Sequence, residues 1–186
     1  MTVTYFKRFR MQIDLREGFT VGEIPPRYKF HQWSNKILSG HAEAKYRSFR
    51  YELDSNVFPC LGDSDGCHRL MRDISCRQGF VPEATWLVTF LNPKSGRVEN
   101  CGTVQGIRDQ VEVGSIQNLG IAPDHRGKGL GSLLLTHCLR GFQSTGIKFV
   151  TLEVTAKNVG AVRLYQRVGF RTLRTVFKSA DVAYQV

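Results

Sequence analysis

Polar and apolar residues alternate over residues 2–14, where Val3, Tyr5 and Phe9 sit among Thr, Lys and Arg, the two-residue period of a strand. Gly22, Pro25 and Pro26 in EGFTVGEIPPR end that pattern. A second short strand is predicted at Tyr28 to Trp33 (YKFHQW), and Ser34 and Asn35 are N-cap residues for a helix reaching about Phe49. FPCLGDSDG reads as a loop, with Asp65 capping a second helix over about Cys67 to Gln78 and Gly79 beyond its end. Three β-rich runs follow: Thr85 to Leu91, then, after the turn NPKSG, Val98 to Ile107 and Val111 to Ile121 joined by RDQ.

The period changes after Pro123. Leu130, Leu133, Leu134, Cys138, Leu139 and Phe142 recur at helical spacing until Gly146 stops them. Lys148 to Ala156 (KFVTLEVTA) is a nearly continuous β run, as expected for a strand covered on both faces. Asn158 caps a short helix through about Val168, Gly169 ends it, and FRTLRTVFK and DVAYQV read as a closing pair of strands. Mixed antiparallel strands, then βαβα, then a β tail predict an α+β fold, with helices flanking a mixed, mostly antiparallel sheet. No repeat or linker divides the 186 residues, a length that suits one domain.

Composition narrows the class. With 41% hydrophobic and 23% charged residues the chain is globular in character. The longest purely apolar run, Leu133 to Leu135, falls far short of the roughly 20 residues of a membrane span. The first residues also lack a signal-peptide core, so a cytoplasmic protein without membrane partners is expected. The five cysteines include no pair two residues apart, which argues for free thiols over a disulfide framework or zinc ribbon, with Cys138 in a helix core. The five histidines share no metal-ligand spacing, so no metal is expected. A formal net charge of +10 favours anionic partners, yet the basic residues are scattered from Lys7 and Arg8 to Arg171 and Arg174. One local phosphate site fits that scatter better than general nucleic-acid binding.

The candidate site is Pro123 to Ser132, PDHRGKGLGS, between a strand and a helix. Glycine-rich loops there expose backbone N–H groups at the positive end of the helix dipole and bind phosphate oxygens. A P-loop is excluded because no glycine stands five residues before Gly127, and Lys128 precedes Gly129. A dinucleotide fingerprint fails because Ser132 stands where its third glycine belongs. Arg126, Gly129 and Gly131 do match Arg/Gln-x-x-Gly-x-Gly/Ala, the pyrophosphate cradle of acetyl-CoA enzymes. With NLGIAP before the loop and LEVTAKNVGAVRLYQRVGF after it, the chain resembles the GNAT (GCN5-related) N-acetyltransferases. The motifs carry the resemblance over about residues 85–178, and residues 28–84 share only element order. Within the family the run most resembles ribosomal-protein-alanine-acetyltransferase-like and general members. Residues 1–27 have no counterpart, so they are read as an extension packed on a 28–186 acetyltransferase domain, adding an edge strand or a homodimer contact.

The resemblance implies a GNAT fold with splayed central parallel strands, and acetyl-CoA as cosubstrate. Backbone N–H groups of Arg126, Gly127, Lys128, Gly129, Leu130, Gly131 and Ser132 would cradle the pyrophosphate, with the Arg126 and Lys128 side chains adding charge or facing solvent. The pantetheine arm would lie against Leu119, Gly120 and Ile121, and the Leu119 N–H would polarise the acetyl oxygen. Tyr165 matches the tyrosine that protonates the CoA thiolate and equally fits a core stripe with Ala161, Leu164 and Val168. Asn158 resembles a cofactor-contacting asparagine and an ordinary N-cap alike. Glu153, twelve residues before Tyr165, is either a general base with a carboxyl raised by burial or a structural hydrogen-bonding partner. The histone-acetylating branch places its glutamate where Ser115 stands, which argues against that mechanism; Glu112 and Asn118 are weaker candidates.

His41, Glu43, Tyr46 and Tyr184 are candidates to line the acceptor pocket. The positive net charge tilts against polyamines and aminoglycosides. The expected activity is acetyl transfer from acetyl-CoA to a primary amine of a small molecule or protein N-terminus by direct attack. A non-catalytic acyl-CoA-binding module or sensor is the alternative, and a basic nucleic-acid-associated protein with an incidental loop is the third.

Overall fold

The computed structural model describes residues 2–182. Seven strands form one sheet: β1 (Thr2–Asp14), β2 (Tyr28–Gln32), β3 (Phe80–Leu91), β4 (Val98–Gln110), β5 (Val113–Ile121), β6 (Phe149–Thr155) and β7 (Arg171–Val182), in the order β2-β3-β4-β5-β6-β1-β7. Every neighbouring pair is antiparallel except β5 and β6. Five α-helices accompany them: α1 (Leu38–Phe49), α2 (Leu53–Val57), α3 (Ser64–Ser75), α4 (Leu130–Ser144) and α5 (Val159–Val168). This is the expected α+β architecture, with one parallel pair at its centre.

Alternation sorts the helices onto the two faces. Thr103 and Gln105 of β4 meet His41 and Lys45 of α1, whereas a Cβ on the next residue, Gly106, would touch Phe142 of α4. The main core lies beneath α4, where Leu134, Cys138 and Phe142 meet Met11, Ile13, Val150, Leu152 and Val154. A smaller cluster of Phe49, Leu61 and Cys67 closes the other face. All five cysteines are free thiols, and Cys138 is fully buried. No helix among the described residues is long and apolar enough to cross a membrane.

Several elements depart from the sequence reading. The tail is one strand, Arg171–Val182, instead of two; part of DVAYQV, with Tyr184, lies outside the described residues. A closing hairpin is unnecessary because β7 pairs with β1, from Thr2↔Val182 to Gln12↔Arg171. Residues 2–14 are therefore no edge strand: β1 is inserted between β6 and β7. Asp63, not Asp65, caps α3 by accepting from the Gly66 N–H at 2.6 Å. A short 3-10 turn, Asn35–Ile37, precedes α1, and Ser34 makes no side-chain cap bond.

A polar chain is buried beneath α1. The Lys45 ammonium donates to Gln105 Oε1 at 2.7 Å, Gln105 Nε2 donates to Thr103 Oγ1 at 2.6 Å, and that hydroxyl meets His41 Nδ1 at 2.8 Å. Burial pushes Lys45 down from 10.5 to about 7. Burial, then the Lys45 charge, pushes His41 down from 6.5 to about 3. Between pH 7 and 10.5 the unfolded chain holds a Lys45 proton that the folded chain sheds, so this group makes stability rise with pH across that window. His41 acts likewise between pH 3 and 6.5, where acid takes stability away. Burial also raises the Cys67 and Cys101 thiols, to about 11 and 12, which opposes the trend above pH 9. The Lys45→Met variant should therefore lose the rise that wild type shows from pH 7 to 9.5. Urea midpoints at successive pH values, compared between the two proteins, check this; parallel profiles would contradict it.

Candidate active site

The site exists because β5 and β6 part. They pair over Val113↔Phe149, Gly114↔Val150 and Ser115↔Thr151 only, although β5 runs on to Ile121 and β6 to Thr155. A bulge helps to turn β5 aside. Gln105 and Thr103 of β4 face Gln117 and Gly120, so three steps on β5 oppose two on β4, and Asn118 takes a left-handed φ of 50°. The splayed strands inferred from the resemblance are thus present.

The gap opens into a cleft of about 530 Å³. Leu119, Gly120 and Ile121 form one side; Arg126, Gly127, Gly129, Leu130, Gly131 and Ser132 form the end; Asn158 and Tyr165 form the other side. Lys128 is the one loop residue of the candidate set that does not border it. Beyond Tyr165 the cleft meets a chamber of about 90 Å³ lined by Arg8, Asp54, Phe58, Asn118 and Glu153 among others. Asp54 and Tyr165 border both spaces.

The loop presents backbone. Gly127 and Gly129 have φ of 75° and 76°, values that disfavour any residue with a Cβ, and a Cβ at either would meet nothing. Gly129 is the N-cap of α4 and carries no capping side chain, so the first N–H groups of this 15-residue helix lack a side-chain acceptor. Both basic side chains are engaged elsewhere. Arg126 donates to Ile121 O at 2.9 Å, Ser48 O at 3.0 Å and Glu52 Oε1 at 2.7 Å, tying the loop to the end of α1. Lys128 Nζ donates to Asp124 O at 2.8 Å. Behind the loop, His125 joins Tyr28 at 3.0 Å and Glu99 at 3.3 Å, a buried support that sequence reasoning missed.

Tyr165 is 7% exposed and packs edge-on against Phe170. Burial, then the Asp54 charge, pushes its phenol up, with Arg8 opposing. Asn158 accepts from the Ala161 N–H at 3.1 Å, an ordinary N-cap that also lines the cleft. Glu153 lacks the desolvation its candidacy as a burial-raised base requires: its side chain is 42% exposed and sits 3.7 Å from Arg8 Nε. Of the acceptor candidates within the described residues, none lines the cleft or the chamber. His41 is fully buried against Thr103, Glu43 accepts from Asn100 Nδ2 on the surface, and Tyr46 packs in the smaller core cluster.

Sequence reasoning missed Asp54 and Arg8. Asp54 Oδ1 accepts from Thr155 Oγ1 at 3.0 Å and lies 3.7 Å from Arg8 Nη1. Arg8 also donates to Thr155 Oγ1 and to Glu153 O, both at 3.1 Å. The one sequence signal was Arg8 itself, a cation on the strand face opposite Phe9 and Met11. No group of three or more potential metal ligands occurs among the described residues.

The fold class and the parted strands set the frame in which the comparisons fall. The profile described as "Acetyltransferase (GNAT) family" matches residues 50–170, more than half of the chain, and the chain belongs to this family. It is 35% identical over 99 residues to a mycothiol acetyltransferase of Corynebacterium aurimucosum, covering 47% of this chain and 33% of that protein. It is 29% identical over 83 residues to the [ribosomal protein bS18]-alanine N-acetyltransferase of Escherichia coli, covering 45% and 54%. A streptothricin acetyltransferase of Streptomyces lavendulae is 39% identical over 56 residues, 30% of each chain. These matches span between about a third and a half of the relatives' own lengths. Among solved structures, a GCN5-related N-acetyltransferase of Sphaerobacter thermophilus superposes with a TM-score of 0.67 at 21% identity, covering 94% of this chain and 51% of that one. The ribosomal-protein-S18-alanine N-acetyltransferase of E. coli gives 0.58 at 13%, covering 85% and 97%.

Gly120 lets α1 cross the parted strand, since a Cβ there would lie 2.6 Å from the Phe49 ring and 2.7 Å from Ser48 Cβ. Gly120→Val should destabilise the fold by about 1–3 kcal/mol, the usual cost of overpacking. Chemical denaturation measures it, and an unchanged midpoint would contradict the close approach.

Proposed function

We propose that this protein transfers an acetyl group from acetyl-CoA to a primary amine by direct attack. The observation that carries the reading is the union of two features in one cleft: a glycine loop at an uncapped helix start and the gap between β5 and β6. The first suits a pyrophosphate, because its open N–H groups and the α4 dipole favour negative charge. The second suits an extended pantetheine arm, which can pair with the backbone of a strand that has lost its neighbour. The names of the relatives, one of them an alanine N-acetyltransferase, support an amine acceptor.

The chemistry assigns each group a task. Backbone N–H groups from Gly127 to Ser132 hold the pyrophosphate, while Arg126, whose own N–H donates to Pro123 O at 3.1 Å, braces the loop with its side chain instead of binding anions. The bulge at Asn118 re-aims the next backbone group, and the Leu119 N–H polarises the thioester carbonyl, worth about 2–4 kcal/mol for one well-placed donor. The neutral amine attacks the carbonyl carbon, the C–N bond forms and the C–S bond breaks. Tyr165 donates its phenolic proton to the departing thiolate, and burial keeps that phenol protonated near neutrality. Glu153 holds Arg8 at the floor of the acceptor chamber.

Acetyl-CoA at 100 times its Kd should stabilise the protein by about 2.7 kcal/mol in thermal unfolding. No shift would remove the CoA reading, and a shift without thiol release across an amine panel would favour an acyl-CoA-binding module. Gly129→Ala should weaken acetyl-CoA binding at least ten-fold by titration calorimetry while the apo protein stays folded. Tyr165→Phe should cut kcat by about 10²-fold with acetyl-CoA affinity retained; full turnover in this variant would exclude Tyr165 as the acid.

A further inference from the structure

We infer that Asp54 receives the acceptor's ammonium, and that the chamber beside it selects a primary amine carrying a hydrogen-bond-accepting oxygen on the neighbouring carbon, three bonds from nitrogen. The inference rests on the acyl-transfer reading above and adds the acceptor class. Asp54 sits where the two spaces meet, sharing both linings with Leu119 and Tyr165, the groups placed at the thioester. Glu153 borders the smaller chamber alone. The Asp54 carboxylate is fixed from two strands, by the Thr155 hydroxyl of β6 and the Arg8 guanidinium of β1.

Charge supplies the selectivity. The chain carries +10 overall, but among the described residues the chamber's own lining holds one cation, Arg8, against two carboxylates, Asp54 and Glu153, with Lys178 over the Phe58 ring 3.8 Å from its centroid. The cations of the larger cleft, Arg126 and Arg167, border the space that holds the phosphate loop. An ammonium entering the chamber balances the surplus carboxylate, which reverses the expectation drawn from net charge. Arg8 supplies the second contact. Its side chain is 7% exposed, and its buried Nε–H has no hydrogen-bond partner, the nearest carboxylate oxygen being 3.7 Å away. That Nε is closed to solvent, so an acceptor carbonyl or hydroxyl oxygen satisfies the donor as the Arg8 side chain shifts toward the chamber. Amino acid derivatives, peptide N-termini and amino sugars share this amine-plus-oxygen chemistry.

The protons balance. The ammonium gives one proton to Asp54, which passes it to solvent, and the free lone pair attacks the carbonyl carbon. As the C–S bond breaks, Tyr165 protonates the thiolate, and the second proton leaving nitrogen restores the phenol. The products are the amide, CoA thiol and one released proton.

Three small probes test this in the CoA-loaded protein by titration calorimetry: L-alaninamide, lactamide (hydroxyl in place of the amine) and isobutylamine (no oxygen). Alaninamide should bind at least ten-fold tighter than either. The gap to lactamide should vanish in Asp54→Asn and persist in Asp54→Glu. With acetyl-CoA and alaninamide, Asp54→Asn should lose about 100-fold in kcat/KM while acetyl-CoA Kd stays within two-fold, and this loss should exceed that of Glu153→Gln. Absent alaninamide binding, equal binding of lactamide, or a larger loss in Glu153→Gln would overturn the assignment to Asp54. Equal binding of isobutylamine would overturn the Arg8 contact. The probe comparison in the wild-type protein needs no variant to fold. Failure of acetyl-CoA to protect the protein would sink the acyl-transfer reading itself, whereas intact protection with a failed probe comparison would sink this inference alone.

Discussion

Everything at this site follows from two parallel strands that cease to pair after three residue pairs. Strand separation normally leaves unsatisfied backbone groups in the interior, a cost folded proteins avoid. Here the parting is built in by a bulge at Asn118, by Gly120 beneath Phe49, and by the α5 side chains, Tyr165 foremost, that stand in the opening. The gap opens a cleft of about 530 Å³ with groups of opposite electrostatic character at its two ends. Backbone donors and a helix dipole sit at one end, surplus carboxylate at the other.

That division of labour explains the modest part played by the basic side chains of the glycine loop. Arg126 spends its guanidinium on Ser48, Ile121 and Glu52, and Lys128 turns back onto Asp124. In the acetyl-CoA reading proposed above, pre-formed backbone donors need no side-chain ordering when a phosphate arrives, so binding loses less entropy than it would with flexible lysines.

The local half of the fold was legible in the sequence. The α4 stripe, the β6 run and the Asn158 and Gly169 boundaries of α5 depend on neighbours within a turn or a strand, and the structure places them within a residue or two of expectation. The glycine loop was legible because left-handed backbone leaves its mark as glycine. The chamber beside Asp54 was not. Arg8, Asp54 and Thr155 are joined across 147 and 101 residues of chain, and no periodic signal encodes such a meeting. Asp54 lies on a helix of five residues, too short to show a stripe. Glu153 was left between two roles for a related reason: its strand is buried, but the position opposite Arg10 opens to solvent and to the Arg8 guanidinium, a partner on a distant strand that the local pattern does not show.

The placement of β1 has a kinetic side. This strand is synthesised before every other, yet its two partners, β6 and β7, begin at Phe149 and Arg171. Until both exist, thirteen residues of β-prone chain wait with neither edge paired. Pairing this strand with both neighbours closes long loops, a topology of the kind that slows folding and leaves strand edges open until it is complete. Arg8 travels with that strand, so the chamber beside Asp54 has its full lining only when the sheet is complete.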